Sequence, residues 1–389
     1  MHSSGDREDK GYGKRIIMIL VGAGEIGGAR AISPALDYFQ RWGCPFAVID
    51  HGVISQELPG SCIRTVLPDS DAEIRRKLMG EVQAYMFGTS LHDPYPLRIA
   101  RRARECKIPV ICVLDNWMNY RWRLAMDGKP FFMPDIYAVM DQLAEKESVE
   151  DGIPESIIRV VGHAGLSDLR DLYITFGSDK KREEVMRASR FAGDGKKLLV
   201  FVSEPVEMDQ GGDPKSPKYR GYTEKTVLRL LLNSLQAFSN SVVVGLAPHP
   251  REDPEGLLRV WEESKGSLQG GLLRVENGRE AIFIADGVCG MSSLLLYEAF
   301  LLGKPLLSLQ PNLRVPHLLF LKKKGARFFV TESESVEREV MLWIEHIDQS
   351  LGEVEFHEEI SFHQGAPQRL AELVRSITGR SNGKRRQSF

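Results

Sequence analysis

The chain is predicted to be an α/β protein built from two doubly wound lobes, and three observations predict it. Short, nearly unbroken apolar runs alternate with longer amphipathic ones, the mark of parallel strands buried on both faces and joined by crossover helices. The alternation stops over Ser178 to Lys197, where glycine and charge replace apolar periodicity, and resumes at Leu198. At 389 residues, 42% hydrophobic and 27% charged, the chain is long enough for two separate cores.

In the first lobe, residues 15–178, strands are expected at Arg15 to Val21, Phe46 to Asp50, Ala84 to Gly88, Val110 to Leu114, Ile136 to Val139 and Ile158 to Val161. Helices are expected at Ala31 to Trp42, Asp71 to Leu78, Pro96 to Cys106 and Asp141 to Glu150. In the second lobe, residues 179–360, strands fall at Leu198 to Val202, Val242 to Leu246, Gly271 to Arg274 and Leu306 to Leu309. The intervening helices are Glu224 to Phe238, Pro254 to Lys265 and Leu294 to Leu302. A last helical pattern, Ala366 to Thr378, lies within residues 361–379, and the polar ends, 1–14 and the basic stretch 380–389, are expected to be disordered.

Charge and composition narrow the function classes. A net charge of −2 offers no global attraction to nucleic acid or to an anionic membrane. Cys44, Cys62, Cys106, Cys112 and Cys289 are scattered and contain no CxxC pair, which argues for buried thiols in a reducing compartment and against a zinc site. No run approaches the ~20 apolar residues of a membrane span, and the start of the chain lacks an apolar signal region. A cytoplasmic protein is expected.

The most informative stretch is Asp286 to Pro311, DGVCGMSSLLLYEAFLLGKPLLSLQP. Its turn Gly290-Met291-Ser292-Ser293 opens the helix from Leu294, so unpaired N–H groups and the helix dipole converge on a place for an anion, with phosphate the leading candidate. Glu298, about one and a half turns further, lies within reach of a sugar hydroxyl on a bound phosphate. The plainer alternative makes Ser292 and Ser293 helix caps and Glu298 a solvated carboxylate. This pattern resembles the donor-nucleotide motif of GT-B-fold glycosyltransferases and UDP-N-acetylglucosamine 2-epimerases. The resemblance implies a GT-B-like architecture of two Rossmann-like domains facing a central cleft, with Ser292 and Ser293 on the phosphates and Glu298 on the ribose. It also implies that the last helix packs back on the first domain.

His249 and Arg251, in Ala247-Pro248-His249-Pro250-Arg251-Glu252 at the end of a second-lobe strand, are natural donors to a diphosphate leaving group. Similar His-Pro segments occur in CDP-glycerol glycerophosphotransferases and capsule-type glycosyltransferases. Val206 to Thr223 has no periodicity and is expected to be a lid or a disordered insertion. Gln310 lies where a GT-B donor sugar meets the second domain.

The first lobe opens on Gly22-Ala23-Gly24-Glu25-Ile26-Gly27-Gly28-Ala29-Arg30. Gly22, Gly24 and Gly27 have the spacing of a dinucleotide fingerprint, and Asp50 offers its acidic residue. The separate nucleotide-like site in the second lobe weighs against NAD or FAD, and in GT-B proteins a Gly-rich first loop approaches donor or acceptor. Gly24 permits that approach, Glu25 and Arg30 are the side chains to aim there, and Gly27 and Gly28 also suit tight strand-to-helix packing. The run Asp115-Asn116-Trp117-Met118-Asn119-Tyr120-Arg121-Trp122-Arg123 follows a strand end with acid, amide, aromatic and cation together. Trp117 and Tyr120 suit a sugar face, Asn116 and Asn119 its hydroxyls, Arg121 and Arg123 an anion, and Asp115 a general base, with Glu25 and His92 as competing bases. The alternative is a packed loop with Trp117 and Trp122 in the core. His163, in Val161-Gly162-His163-Ala164-Gly165-Leu166-Ser167-Asp168, is similar to the VxGxPxxD hinge segment of the same proteins, with Ala164 in place of proline.

The sequence therefore predicts a metal-independent glycosyltransferase that needs no cofactor and uses a UDP- or CDP-linked sugar and a small-molecule or glycan acceptor, in polysaccharide or secondary-metabolite synthesis. No nucleic-acid partner or integral membrane segment is expected, and a homodimer is the oligomeric expectation. A UDP-sugar 2-epimerase or hydrolase, a CDP-glycerol-type glycerophosphotransferase and a non-catalytic nucleotide-sugar-binding protein remain the alternatives.

Overall fold

The computed structural model describes residues 18–52, 54, 62–125, 128–191, 195–350 and 355–385, which form two compact units. One unit takes the chain up to Asp115, Asn119–Gly165 and the C-terminal segment from Gly365; the other takes Asn116–Met118 and Leu166–Gln364.

The first unit runs β1 (Met18–Gly22), α1 (Ile26–Arg41), β2 (Phe46–Ile49), β3 (Arg64–Thr65), α2 (Asp71–Glu81), β4 (Val82–Gly88), α3 (Tyr95–Glu105), β5 (Val110–Val113), β6 (Ile136–Val139), α4 (Gln142–Glu150) and β7 (Ile158–Val160). Its seven strands form one parallel sheet in the order β3-β2-β1-β4-β5-β6-β7. Strands β2 and β5 are buried at every position, which is why they read as unbroken apolar runs. Helix α1 lays Ala29, Ile32, Ala35, Leu36 and Phe39 on the sheet at helical spacing. It begins at Ile26, one turn before the expected Ala31. Gly27 and Gly28 lower helix propensity but let α1 approach the end of β4: a Cβ on Gly28 would lie 2.5 Å from the Thr89 carbonyl oxygen.

The second unit runs α5 (Leu169–Thr175), α6 (Ser178–Ala188), β8 (Lys197–Val202), α7 (Val206–Gln210), α8 (Glu224–Leu235), β9 (Val242–Ala247), α9 (Pro254–Ser264), β10 (Gln269–Leu272), α10 (Gly278–Ile284), β11 (Gly287–Gly290), α11 (Leu294–Leu301), β12 (Leu306–Leu309), α12 (Phe320–Lys323), β13 (Phe328–Val330), α13 (Val336–Gln349) and α14 (Glu359–Gln364). Its six strands are also all parallel, ordered β10-β9-β8-β11-β12-β13.

The units divide at Gly165/Leu166, upstream of the 178/179 boundary expected from the sequence. Asp168 pairs with Arg279 at 3.0 Å, and Tyr173 packs edge-on against Phe283, which fastens α5 to the second unit. The expected linker also contains α6, whose Arg182 makes a two-pronged ion pair with Asp286. The final helix, α15 (Ala366–Arg385), packs on α1 and buries Leu370, Ala371 and Val374 in the first unit's core, as Arg369 donates to the Val161 carbonyl at 2.9 Å. It runs to Arg385, so residues 380–385 are helical instead of a disordered tail, while 1–14 and 386–389 lie outside the described residues. Among the described residues no helix is long and apolar enough to cross a membrane.

Candidate functional site

Open parallel sheets bind ligands where the strand order reverses, outside the carboxyl ends of the two diverging strands. That point lies between β8 and β11 in the second unit and between β1 and β4 in the first. Of the sequence-predicted site residues, Gly24, Glu25 and His92 follow β1 and β4, and Gly290, Ser292 and Ser293 end or follow β11.

In the second unit, β8 is followed by Ser203-Glu204 and β11 by Met291-Ser292. The Ser292 N–H and hydroxyl both donate to the Glu204 carboxylate. The place predicted for a phosphate therefore holds one of the chain's own anions. Burial pushes the Glu204 carboxyl up from its usual range, and the Ser292 and Ser293 N–H groups and Arg220 only partly oppose this. Ser293 is the N-cap of α11, accepting from the Leu296 N–H at 3.2 Å. Gly290 is required by packing, because a Cβ there would lie 2.5 Å from the Val202 carbonyl oxygen.

Glu298 is buried and not solvated: Arg279 donates to both of its oxygens, at 2.7 and 3.3 Å, and to Asp168. His249 and Arg251, the expected diphosphate donors, do not stand as two free cations. Burial, with Arg251 nearby, lowers the His249 pKa to about 4, so the ring is neutral at pH 7. Its Nδ1 accepts from the Arg251 N–H at 3.1 Å, which leaves the proton on Nε2 as a neutral donor. The Arg251 guanidinium spans both oxygens of Asp209 at 2.9 and 3.2 Å. Glu252 accepts from the His249 N–H and the Ser203 hydroxyl, and its carboxyl is also raised by burial. The Val206 to Thr223 stretch is fastened down instead of forming a loose lid. Gln210 donates to the Tyr222 carbonyl and accepts from the Arg220 N–H, each at 2.7 Å.

In the first unit, three acidic side chains organise the edge. Glu25 accepts from the Leu91 and His92 N–H groups at 2.8 and 2.9 Å, tying the loop after β4 to the glycine loop. Asp115 accepts from Arg123 and the Thr89 hydroxyl, and its other carboxylate oxygen lies 2.4 Å from where a Cβ of Gly27 would be. Arg123 is 2% exposed, so this is a buried ion pair, a poor arrangement for a base that must take up a proton. Asp93 accepts from His51 Nε2 at 2.7 Å and from the Tyr95 N–H at 2.9 Å, and the His51 ring stacks on Tyr95. Gly24 makes room for Asp93, whose carboxylate would collide with any Cβ there. His51 and Asp93 are 36% and 22% exposed, so this pair is accessible. The sequence signal for His51 is its position in Asp50-His51-Gly52, which follows β2 at the same carboxyl edge, whereas His92 is the histidine expected there.

Several predicted sugar contacts lie in the core. Trp117 is 0% exposed, stacked on Phe320 at 5.1 Å and edge-on to Tyr297, inside the second unit, so its face is unavailable to a sugar. Trp122, the other candidate core ring, is exposed. Tyr120 is buried and donates to Glu147 at 2.6 Å; desolvation and that carboxylate hold its hydroxyl protonated. His163 and Gln310 are buried, and the Gln310 amide donates to the Met291 and Leu318 carbonyls. The Asn116 carbonyl oxygen is also inside. Asn119 is left-handed at φ 57°, Arg121 stacks over Phe131, and Arg30 and His92 are exposed.

No family model matches the chain, and no curated protein matches it in sequence. Solved structures do match in fold. The UDP-GlcNAc 2-epimerase from Neisseria meningitidis, bound to UDP-GlcNAc, aligns at a TM-score of 0.62 and 12% identity over 92% of this chain and 100% of that one. HepE from Anabaena, in complex with UDP-glucose, aligns at 0.57 and 14% over 95% and 98%. MurG from Acinetobacter baumannii aligns at 0.52 and 12% over 92% and 99%. With two parallel Rossmann-like sheets, the chain has the GT-B fold of these proteins.

Proposed function

We propose that the protein is a nucleotide-sugar-dependent enzyme, and specifically a metal-independent glycosyltransferase acting in polysaccharide or secondary-metabolite synthesis. The observation that carries the reading is the place of the α11 opening turn, at the switch point of the second sheet, with Ser292 N–H and hydroxyl directed to one carboxyl group, the chemistry that receives a diphosphate. In this reading the α11 N–H groups and the neutral His249 Nε2–H meet the charge of the departing nucleoside diphosphate. The general base is His51, oriented by Asp93: with Nε2–H directed to Asp93, Nδ1 carries the lone pair. In glycosyl transfer the acceptor oxygen bonds to the anomeric carbon as the bond from that carbon to the phosphate oxygen breaks, its electron pair leaving on the diphosphate; the role assigned to His51 Nδ1 is to take the acceptor's proton. His51 replaces Asp115 in this role because Asp115 is committed to Arg123.

A second reading, a nucleotide-sugar-binding protein without turnover, is favoured by the way the chain satisfies its own donor site: Glu298 with Arg279, Arg251 with Asp209 and Ser292 with Glu204.

Thermal unfolding with millimolar UDP, CDP, GDP, UDP-GlcNAc, UDP-glucose, NAD and FAD separates the readings. A nucleotide at about 100 times its Kd stabilises the fold by about 2.7 kcal/mol. A uridine or cytidine nucleotide should raise Tm, and its sugar should be consumed only when an acceptor is supplied. Consumption without an acceptor would mean epimerisation or hydrolysis, binding without consumption the second reading, and a response to NAD or FAD alone would overturn both.

A further inference from the structure

Glu204 leaves β8 at the switch point and turns its carboxylate onto the opening turn of α11. Two features mark this as a ligand position as well as a helix cap. Ser293 already caps α11 with its own side chain, so Glu204 is additional to the capping the helix needs. The Tyr222 hydroxyl, 1% exposed, is turned toward Ser292 and Glu204 but completes no hydrogen bond of ordinary distance and angle. The charged groups around the carboxylate are unevenly balanced. Arg220 is the cation facing it, Glu252 faces it from the loop after β9, and Glu224 from the start of α8 stands behind Glu252. Burial raises all three carboxyls.

We propose that Glu204 is an internal occupant of the phosphate position, so that a nucleoside diphosphate enters only as Glu204 gives up the α11 N–H groups and takes up a proton. This deepens the nucleotide reading above and rests on it. The reason is electrostatic: an ionised carboxylate and a diphosphate cannot share the same donors in a half-buried site that already holds Glu252. A protonated Glu204 can stay and donate its O–H to a phosphate oxygen, which turns a repulsive contact into a favourable one.

The test uses the full chain and UDP-glucose, whose diphosphate is esterified at both ends and does not titrate near neutral pH. One proton taken up on binding changes Kd by up to about tenfold per pH unit. Wild-type affinity should rise as pH falls from 7.5 to 5.5. Glu204→Gln, nearly isosteric, should bind at pH 7.5 at least about tenfold more tightly than wild type and show a flat profile. Weaker binding by Glu204→Gln, or an unchanged pH slope, would overturn the proposal. The wild-type slope needs no variant, and cooperative unfolding of Glu204→Gln verifies its fold. Sulfate, the second probe, distinguishes the two levels. If no protein binds UDP-glucose but Glu204→Gln takes up sulfate where wild type does not, Glu204 is the occupant and the nucleotide reading fails. If folded Glu204→Gln binds neither, the occupant proposal fails.

Discussion

Under the proposed function His51 and Asp93 carry the chemistry of the first unit, because they are a hydrogen-bonded, accessible pair on its carboxyl strand edge. Removing the orienter leaves the imidazole in place but frees its tautomer and orientation. Asp93→Asn should therefore lower kcat by about 10²–10⁴-fold while the donor KM changes little, with the acid limb of the kcat profile moved. Full activity in both Asp93→Asn and His51→Asn would assign the base elsewhere. At this scale the sequence is only partly legible. It places Glu25, Asp115, Ser292 and Glu298 at strand ends and helix starts, but each is answered by a residue outside its own motif: Leu91, Thr89, Glu204 and Arg279. Pairings of that kind leave no trace in local spacing. The Trp117 to Tyr120 run misleads for a related reason, since aromatic rings beside a strand end suit a core as well as a sugar.

The secondary elements follow their local physics more closely. Strands such as Leu198 to Val202 announce themselves because both faces are buried, whereas β3 is two half-exposed polar residues and carries no pattern. Where helix and strand must nearly touch, propensity misplaces the boundary, as at the start of α1. Two glycine substitutions separate the effects. In Gly28→Ala the gain in helix propensity, about 1 kcal/mol, is outweighed by overpacking against the Thr89 and Gly88 backbone, about 1–3 kcal/mol, so the variant should be less stable. Gly80→Ala, inside α2 with open space around its Cβ, should gain about 0.5–1 kcal/mol. Urea denaturation measures both, and a stabilised Gly28→Ala would mean that α1 can move away from β4.

The whole chain repeats one parallel-sheet plan in two units, and the restart of apolar alternation near Leu198 makes that repetition legible. What periodicity does not disclose is that the first unit is closed by α15. Truncation after Gly365 should strip Leu370, Ala371 and Val374 from the core around α1. Limited proteolysis should then degrade the first unit, leaving a protected fragment from the second; equal protection of both would show that α15 is dispensable.

That closing helix also sets an order of assembly during synthesis. The first unit is begun first, yet its sealing segment is translated only after about 200 further residues, an interval of about 10–40 s at common elongation rates. Through that interval the second unit is being made, and it is complete at Gln364, before α15 emerges, while the apolar seam of α1 stands bare. The amino-terminal half is therefore expected to reach its native state last, and to be the half that depends on protection while the ribosome is still at work.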